Sequence, residues 1–211
     1  SSSSDTLMHP DTMIPVGSAT KAYTAATIIK LVDEGTIDLD LPASYYVDPV
    51  LTRLNGTTLL KLWKGDKTIS TVTVRHLLHM SSGIHDYDDE ALQVYTREKA
   101  GEDKTGIDMV YELNKEFLFQ PGKGGSYTSV GYVLLGYVLV GATSHLEGGT
   151  WNDFDQRSFM TKDQKMRWNR TSFPKMGRCT NYDVPKQFTY QQVGTEAVFF
   201  DLGQASCLNG W

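Results

Sequence analysis

Cysteine is nearly absent. Cys179 and Cys207 are the only two in 211 residues, so at most one disulfide is available, and the pair either forms it or stays as two buried thiols. Basic runs are missing too. The formal net charge is −5 and the pI about 5.5, which argues against nucleic acid or an anionic membrane as the main partner and points to small molecules or proteins. No apolar run is long. The longest, 130–142, is interrupted by Gly131, Gly136 and Gly141. It falls short of the about 20 residues that cross a bilayer, so it reads as a core helix and no membrane span is expected. The start shows no basic n-region followed by an apolar h-region, so any signal peptide is expected to have been removed or never to have been present. No repeat, coiled coil or linker divides the chain.

Metal and nucleotide signals are equally thin. His76, His79 and His85 lie close together, but His76 and His79 share a helix face without carboxylates at a recognised zinc spacing, so structural histidines and no metal are expected. Pro121-Gly122-Lys123-Gly124-Gly125 looks like a phosphate-cradling loop yet lacks the Gly-Lys-Ser/Thr ending that holds a nucleotide and its magnesium. No cofactor is expected.

Hydrophobic residues make up 40% of the chain and aromatics 11%, ordinary values that supply a real core. Asn55-Gly56-Thr57 and Asn169-Arg170-Thr171 are N-glycosylation sequons, which belong on surface loops of secreted proteins. With the two cysteines they tilt the expected location toward a secreted or lumenal one.

The most informative stretch is 17–35, which opens Gly-Ser-Ala-Thr-Lys. Ala22, Ala25, Ala26, Ile29 and Val32 recur at helical spacing, Gly35 supplies a stop and Ser18 stands where an N-cap belongs. Ser18 and Lys21 are three apart and share a helix face. A serine hydroxyl attacks only once a base takes its proton, and a lysine is that base only where its charged form is disfavoured. Desolvation among apolar side chains and the positive end of the helix dipole both act that way. The same terminus offers backbone N–H groups to a developing oxyanion. Spacing alone leaves a second reading open, in which Ser18 is a cap and Lys21 a solvated charge. A second Ser-x-x-Lys, Ser172 to Lys175, shows how little spacing decides: Pro174 interrupts it and no apolar helical run follows.

Along the rest of the chain, 1–16 reads as a polar start and an extended approach, and 36–42 as a short extended segment. Residues 45–71 read as a loop-rich excursion with a hairpin or helical turn around 58–63. A helix over 74–80, capped by Thr73, leads into Ser81-Ser82-Gly83. Amphipathic helices are predicted over 90–99 and 106–117, and a further helix over 131–145 with Tyr127 on a tight turn at its entrance. Trp151, Phe154, Phe159 and Trp168 suggest a packed helix or turn cluster, and 188–190 and 197–202 suggest short strands or extended loops.

Five blocks recur in one order: Ser18-Ala19-Thr20-Lys21; Leu31-Val32-Asp33-Glu34-Gly35 running on to Asp40; Val74-Arg75-His76-Leu77-Leu78 with Ser82-Gly83; Phe119-Gln120-Pro121-Gly122; and Tyr127 with Gly131-Tyr132-Val133-Leu134-Leu135-Gly136. Over 5–159 the chain resembles the serine beta-lactamase-related family of class C beta-lactamases, D-alanyl-D-alanine carboxypeptidases and kindred esterases. The resemblance implies an α/β mixed, beta-lactamase/transpeptidase-like fold. It assigns 1–16 to the approach, 17–147 to the helical lobe and 148–211 to a loop-rich C-terminal part, with part of the antiparallel sheet missing. By the same resemblance Ser18 is the nucleophile, Lys21 its base, Tyr127 the phenol that exchanges a proton with nucleophile or leaving group, and Ser129 a substrate-binding position. The implied chemistry is acylation of Ser18 by an amide or ester, small molecule or peptide, and hydrolysis by water.

Three departures stand out. The family's Tyr-x-Asn has Ser129 at its third position, a hydroxyl in place of an amide. Met80 stands where many relatives have histidine, beside His79. The third motif, Lys-Thr-Gly or His-x-Gly on a strand lining the site, is not found in the 211 residues. The resemblance therefore implies either a partial chain or a second segment or chain that completes the sheet, and it allows a homo-oligomer. The competing reading is a non-catalytic family member with a structural or assembly role, glycosylated and extracellular.

Overall fold

The computed structural model describes residues 17–87, 106–111, 113–143, 156, 189–193 and 196–200. Asn169, Cys179, Cys207, the second Ser-x-x-Lys, the helix expected over 90–99, the aromatic cluster and the approach to residue 17 lie outside the described residues. A one-turn 3-10 helix, Gly17–Ala19, runs into α1 (Thr20–Asp33). There follow α2 (Ala43–Asn55), α3 (Leu59–Leu62), a 3-10 turn Lys67–Thr71, α4 (Val74–Leu78), α5 (Gly106–Val110) and α6 (Ser129–Thr143). Then β1 (Thr189–Val193) and β2 (Glu196–Phe200) pair antiparallel, from Thr189 opposite Phe200 to Val193 opposite Glu196.

The core is built on α6. Its sequence is apolar on all sides, which suits a helix surrounded by others. Leu134, Leu135, Val138 and Leu139 are fully buried, and the helix packs against α1, α2, α4 and α5. At Gly141 the packing is backbone against backbone: an added Cβ would lie 2.0 Å from the Tyr46 carbonyl oxygen and 2.8 Å from its carbon. Gly141→Ala must therefore push α2 away from α6, at an expected cost of about 1–3 kcal/mol. Gly125→Ala, whose added Cβ meets nothing within 4 Å, is the control that leaves the unfolding curve in place. Chemical denaturation of the two variants reads the difference.

The loop-rich excursion expected over 45–71 is corrected by α2, a 13-residue helix with Pro49 inside it. The proline disguises the helix, because it removes one intrahelical donor. Ala43, Tyr46, Val47, Val50 and Leu51 are buried at a regular helical spacing, and burying that stripe outweighs one lost bond. Asn55-Gly56 does act as a stop, with Gly56 in the left-handed conformation at the C-cap. The run 58–63 holds the helical turn α3, capped by the Thr58 hydroxyl, which accepts from the Lys61 N–H.

The helix expected over 106–117 ends at Val110. Lys115 turns back to donate to the carbonyl oxygens of Val110 and Tyr111, and Phe117 already forms a bridge with Ile84. The segment expected to be extended over 36–42 instead turns at Asp38, whose Oδ1 accepts from the Asp40 N–H at 2.8 Å. Only Pro42 bridges, to Thr73. Arg75 forks Asp40 at 2.7 and 2.9 Å, a surface pair worth little to stability.

Candidate active site

The site begins where α1 begins. Ser18 is exposed and lies inside the 3-10 turn, while the N-cap of α1 is Ala19, at φ −63° and ψ −19° with no side-chain cap bond. This corrects the expectation that Ser18 is the cap: the backbone is already helical at Ala19. The Ser18 hydroxyl instead meets two other side chains. The apolar stripe expected on α1 is corrected as well. Ala22 is exposed and Ile29 is 45% exposed, whereas Thr20, Lys21, Thr24, Thr27, Ile28 and Leu31 are buried. Polar groups tolerate burial where they are bonded. Thr27 does so by donating to the Tyr23 carbonyl at 2.9 Å and accepting from Gln156 Nε2 at 3.1 Å.

Lys21 is only 6% exposed. Its Nζ donates to Ser18 Oγ at 3.1 Å and to Ser129 Oγ at 3.2 Å. Ser18 Oγ is also 2.5 Å from Tyr127 Oη, a short hydrogen bond across 109 residues of sequence. The ammonium sits over the Tyr127 ring, 5.0 Å from its centroid, and 5.8 Å from the centroid of Tyr132. Both are within reach of a cation–π attraction. Burial raises the Tyr127 phenol, but hydrogen bonding with Lys21, Ser18 and Ser129 and the charge of Lys21 outweigh it, so the phenol lies below its ordinary range. Burial and then the neighbouring Tyr127 hold the Tyr132 phenol above that range.

Tyr127 is delivered by a loop pinned to the end of α4. The Ser126 N–H donates to the Met80 carbonyl at 2.9 Å, the Gly122 N–H to Ser81 at 2.8 Å and the Leu118 N–H to Gly83 at 2.8 Å. Gly83 has φ +77°, and a Cβ there would lie 2.1 Å from the Phe119 carbonyl oxygen, so only glycine fits this crossing. Met80 takes part through its backbone, at φ +54°. His76 is a capping group: its Nδ1 accepts from the Thr73 N–H at 3.2 Å, and Thr73 Oγ1 accepts from the His76 N–H at 3.2 Å.

Ser129 is the first residue of α6 and is buried. Its N–H donates to Asp86 Oδ1 at 2.7 Å, a carboxylate at a helix N-terminus, where the dipole favours it. Thr128 Oγ1 donates to the His85 carbonyl at 3.3 Å and accepts from the Gly131 N–H. Asp86 and Tyr132 are site residues that sequence reasoning did not single out. Asp86 meets Ser129 across 43 residues, which no local spacing reveals. Tyr132 lies three residues after Ser129 and so on its helix face. Asn55 is not on a surface loop. It ends α2, and its Oδ1 is buried without a hydrogen-bond partner among the described residues.

The structure thus brings together a hydroxyl at a helix entrance, a buried lysine one turn on and a phenol from a distant loop, on a helical lobe. The chain belongs to the beta-lactamase family, whose sequence model, described as Beta-lactamase, matches residues 2–162. It is 28% identical over 134 residues to Protein flp of Staphylococcus aureus (strain NCTC 8325 / PS 47), covering 64% of this chain and 24% of that protein. It is 27% identical over 151 residues to Penicillin-binding protein 4* of Bacillus subtilis (strain 168), covering 72% of this chain and 29% of that one. The chain thus spans between 24% and 29% of the length of these relatives. Among solved structures, a D-stereospecific amidohydrolase from Streptomyces sp. superposes with a TM-score of 0.65 at 25% identity, over 93% of this chain and 54% of that one. The octameric penicillin-binding protein homologue from Pyrococcus abyssi shares the fold, with a TM-score of 0.57 at 24% identity over 95% of this chain and 42% of that one. The fold is therefore beta-lactamase/transpeptidase-like, with mainly helix among the described residues.

Proposed function

We propose that Ser18 forms an acyl-enzyme with amide or ester substrates, with Tyr127 taking and returning its proton and Lys21 orienting Ser18 and supporting the Tyr127 phenolate. The observation that carries this reading is the 2.5 Å contact between Ser18 Oγ and Tyr127 Oη, with Lys21 Nζ 3.1 Å from the same oxygen. Ser18 Oγ attacks the substrate carbonyl carbon as its proton passes to the Tyr127 phenolate. The carbonyl oxygen takes the negative charge, which backbone N–H groups at the start of α1 stabilise in this scheme. When the tetrahedral centre collapses, the C–N or C–O bond breaks and Tyr127 returns the proton to the leaving group. Water then adds to the acyl carbon and loses its proton by the same route, which frees the acid and restores Ser18.

Lys21 has two roles in this scheme. Its hydrogen bond orients Ser18, and against the effect of burial its hydrogen bond to the Tyr127 phenol, and then its charge, help to hold that phenol below its ordinary range. Ser129 Oγ holds the other side of the ammonium, so the hydroxyl in place of an amide still has work in the site. The non-catalytic alternative expects Lys21 in a surface ion pair and Tyr127 remote from Ser18. The burial of Lys21 and the short Ser18–Tyr127 contact count against it. The likeness to a D-stereospecific amidohydrolase supports an amide among the substrates.

The test is labelling of the full-length protein with a fluorophosphonate followed by peptide mapping. Ser18 Oγ is expected to displace fluoride from phosphorus and carry the adduct. A folded protein that stays unlabelled at Ser18 contradicts the proposal.

A further inference from the structure

We infer that Tyr132 is a positioning residue for Lys21: its ring is the fixed wall of a two-ring clamp that holds the ammonium between Ser18 and Ser129. The inference rests on the reading of Ser18, Lys21 and Tyr127 given above, and it adds a residue to that site. The two walls differ in how they are held. Tyr127 comes from a loop and is 51% exposed. Tyr132 is half-buried on the first turns of α6, and its hydroxyl donates to the Leu78 carbonyl at 3.2 Å, which ties the ring to α4.

A lysine head on a flexible four-carbon stem has no preferred direction of its own. Hydrogen bonds at 3.1 and 3.2 Å set the distance of the head from Ser18 Oγ and Ser129 Oγ. A ring face 5.8 Å away on a helix adds an attraction that points the head toward the site.

The chemical consequence has a sign. Without the Tyr132 face the ammonium is held less firmly beside Tyr127, the Tyr127 phenolate is supported less, and a rate that depends on that phenolate moves to higher pH. Tyr132→Leu is therefore expected to slow acylation by about 10- to 30-fold and to move the rising limb of the pH–rate profile upward. Tyr132→Phe keeps the ring and loses only the tie to Leu78, so its rate stays within about fivefold of the parent and the limb stays in place.

The experiment combines fluorophosphonate acylation rates against pH with NMR of the Lys21 ε-methylene group in the full-length protein. Ring currents are expected to shift that methylene upfield in the parent and in Tyr132→Phe, and the shift is expected to shrink in Tyr132→Leu. If Tyr132→Leu does not fold, Tyr132→Met, which keeps bulk without the aromatic face, takes its place. An unchanged Lys21 shift and an unmoved pH limb in the Leu or Met variant overturn the clamp, as does a Phe variant that loses as much as the Leu one. A shift that responds in a parent that is not acylated leaves the clamp standing and sinks the hydrolase reading instead.

Discussion

Ser18→Ala is expected to remove covalent labelling altogether and to cut substrate acylation by about 10⁴- to 10⁶-fold, the scale on which nucleophile deletions act when base and nucleophile work as a unit. The substitution deletes one oxygen from an exposed turn, so the unfolding midpoint is expected to stay where it was. Lys21 loses one of its two serine partners and Tyr127 loses its 2.5 Å contact with Ser18 Oγ. Ser129 Oγ is also bonded to Lys21, but it is buried at the first residue of α6. Residual turnover above a hundredth of the parent rate, or an adduct moved to Ser129, would mean that the nucleophile has been misassigned.

Tyr127→Phe is expected to be the next most damaging change, with acylation down by about 10²- to 10⁴-fold. It keeps the ring that faces Lys21 and removes only the oxygen that takes the proton, so a loss reports proton transfer more than packing. The pH dependence gives the sharper reading. The phenolate is the active form, so the parent rate rises with pH as Tyr127 loses its proton. Because the neighbouring Lys21, Ser18 and Ser129 together outweigh the effect of burial and hold the phenol down, the midpoint is expected below the ordinary phenol value of about 10. Tyr127→Phe should abolish that rising limb and leave a low, flat profile. A Phe variant with the parent's limb would assign the titration to another group.

Some of this architecture could be read directly from the residues. The cap on α4 was legible because Thr73 stands immediately before an apolar run, and the pairing of Ser18 with Lys21 was legible because residues three apart share a helix face. The core helix α6 was legible because nothing charged interrupts it, though it begins at Ser129 and not at Gly131. The face that α1 buries was misread for a physical reason. Thr20, Lys21, Thr24 and Thr27 count as polar in any pattern, yet they turn inward because the site and its hydrogen bonds lie there. The helix α2 was hidden by Pro49, although its apolar stripe was regular. Tyr127 reached Ser18 on paper only through the family resemblance, since a contact across 109 residues leaves no local trace. Asp86 left none at all. Local periodicity reports what a segment prefers, and a site assembled from three segments is set by packing that a single segment does not encode.

The most direct measurement of the central claim is rapid-quench intact mass spectrometry of the full-length protein turning over an ester substrate, followed by peptide mapping. The expected result is a transient mass increase equal to one acyl group, located on the peptide that holds Ser18 and absent from Ser18→Ala. Product formation without that adduct, or with the acyl group on another residue, would contradict the account.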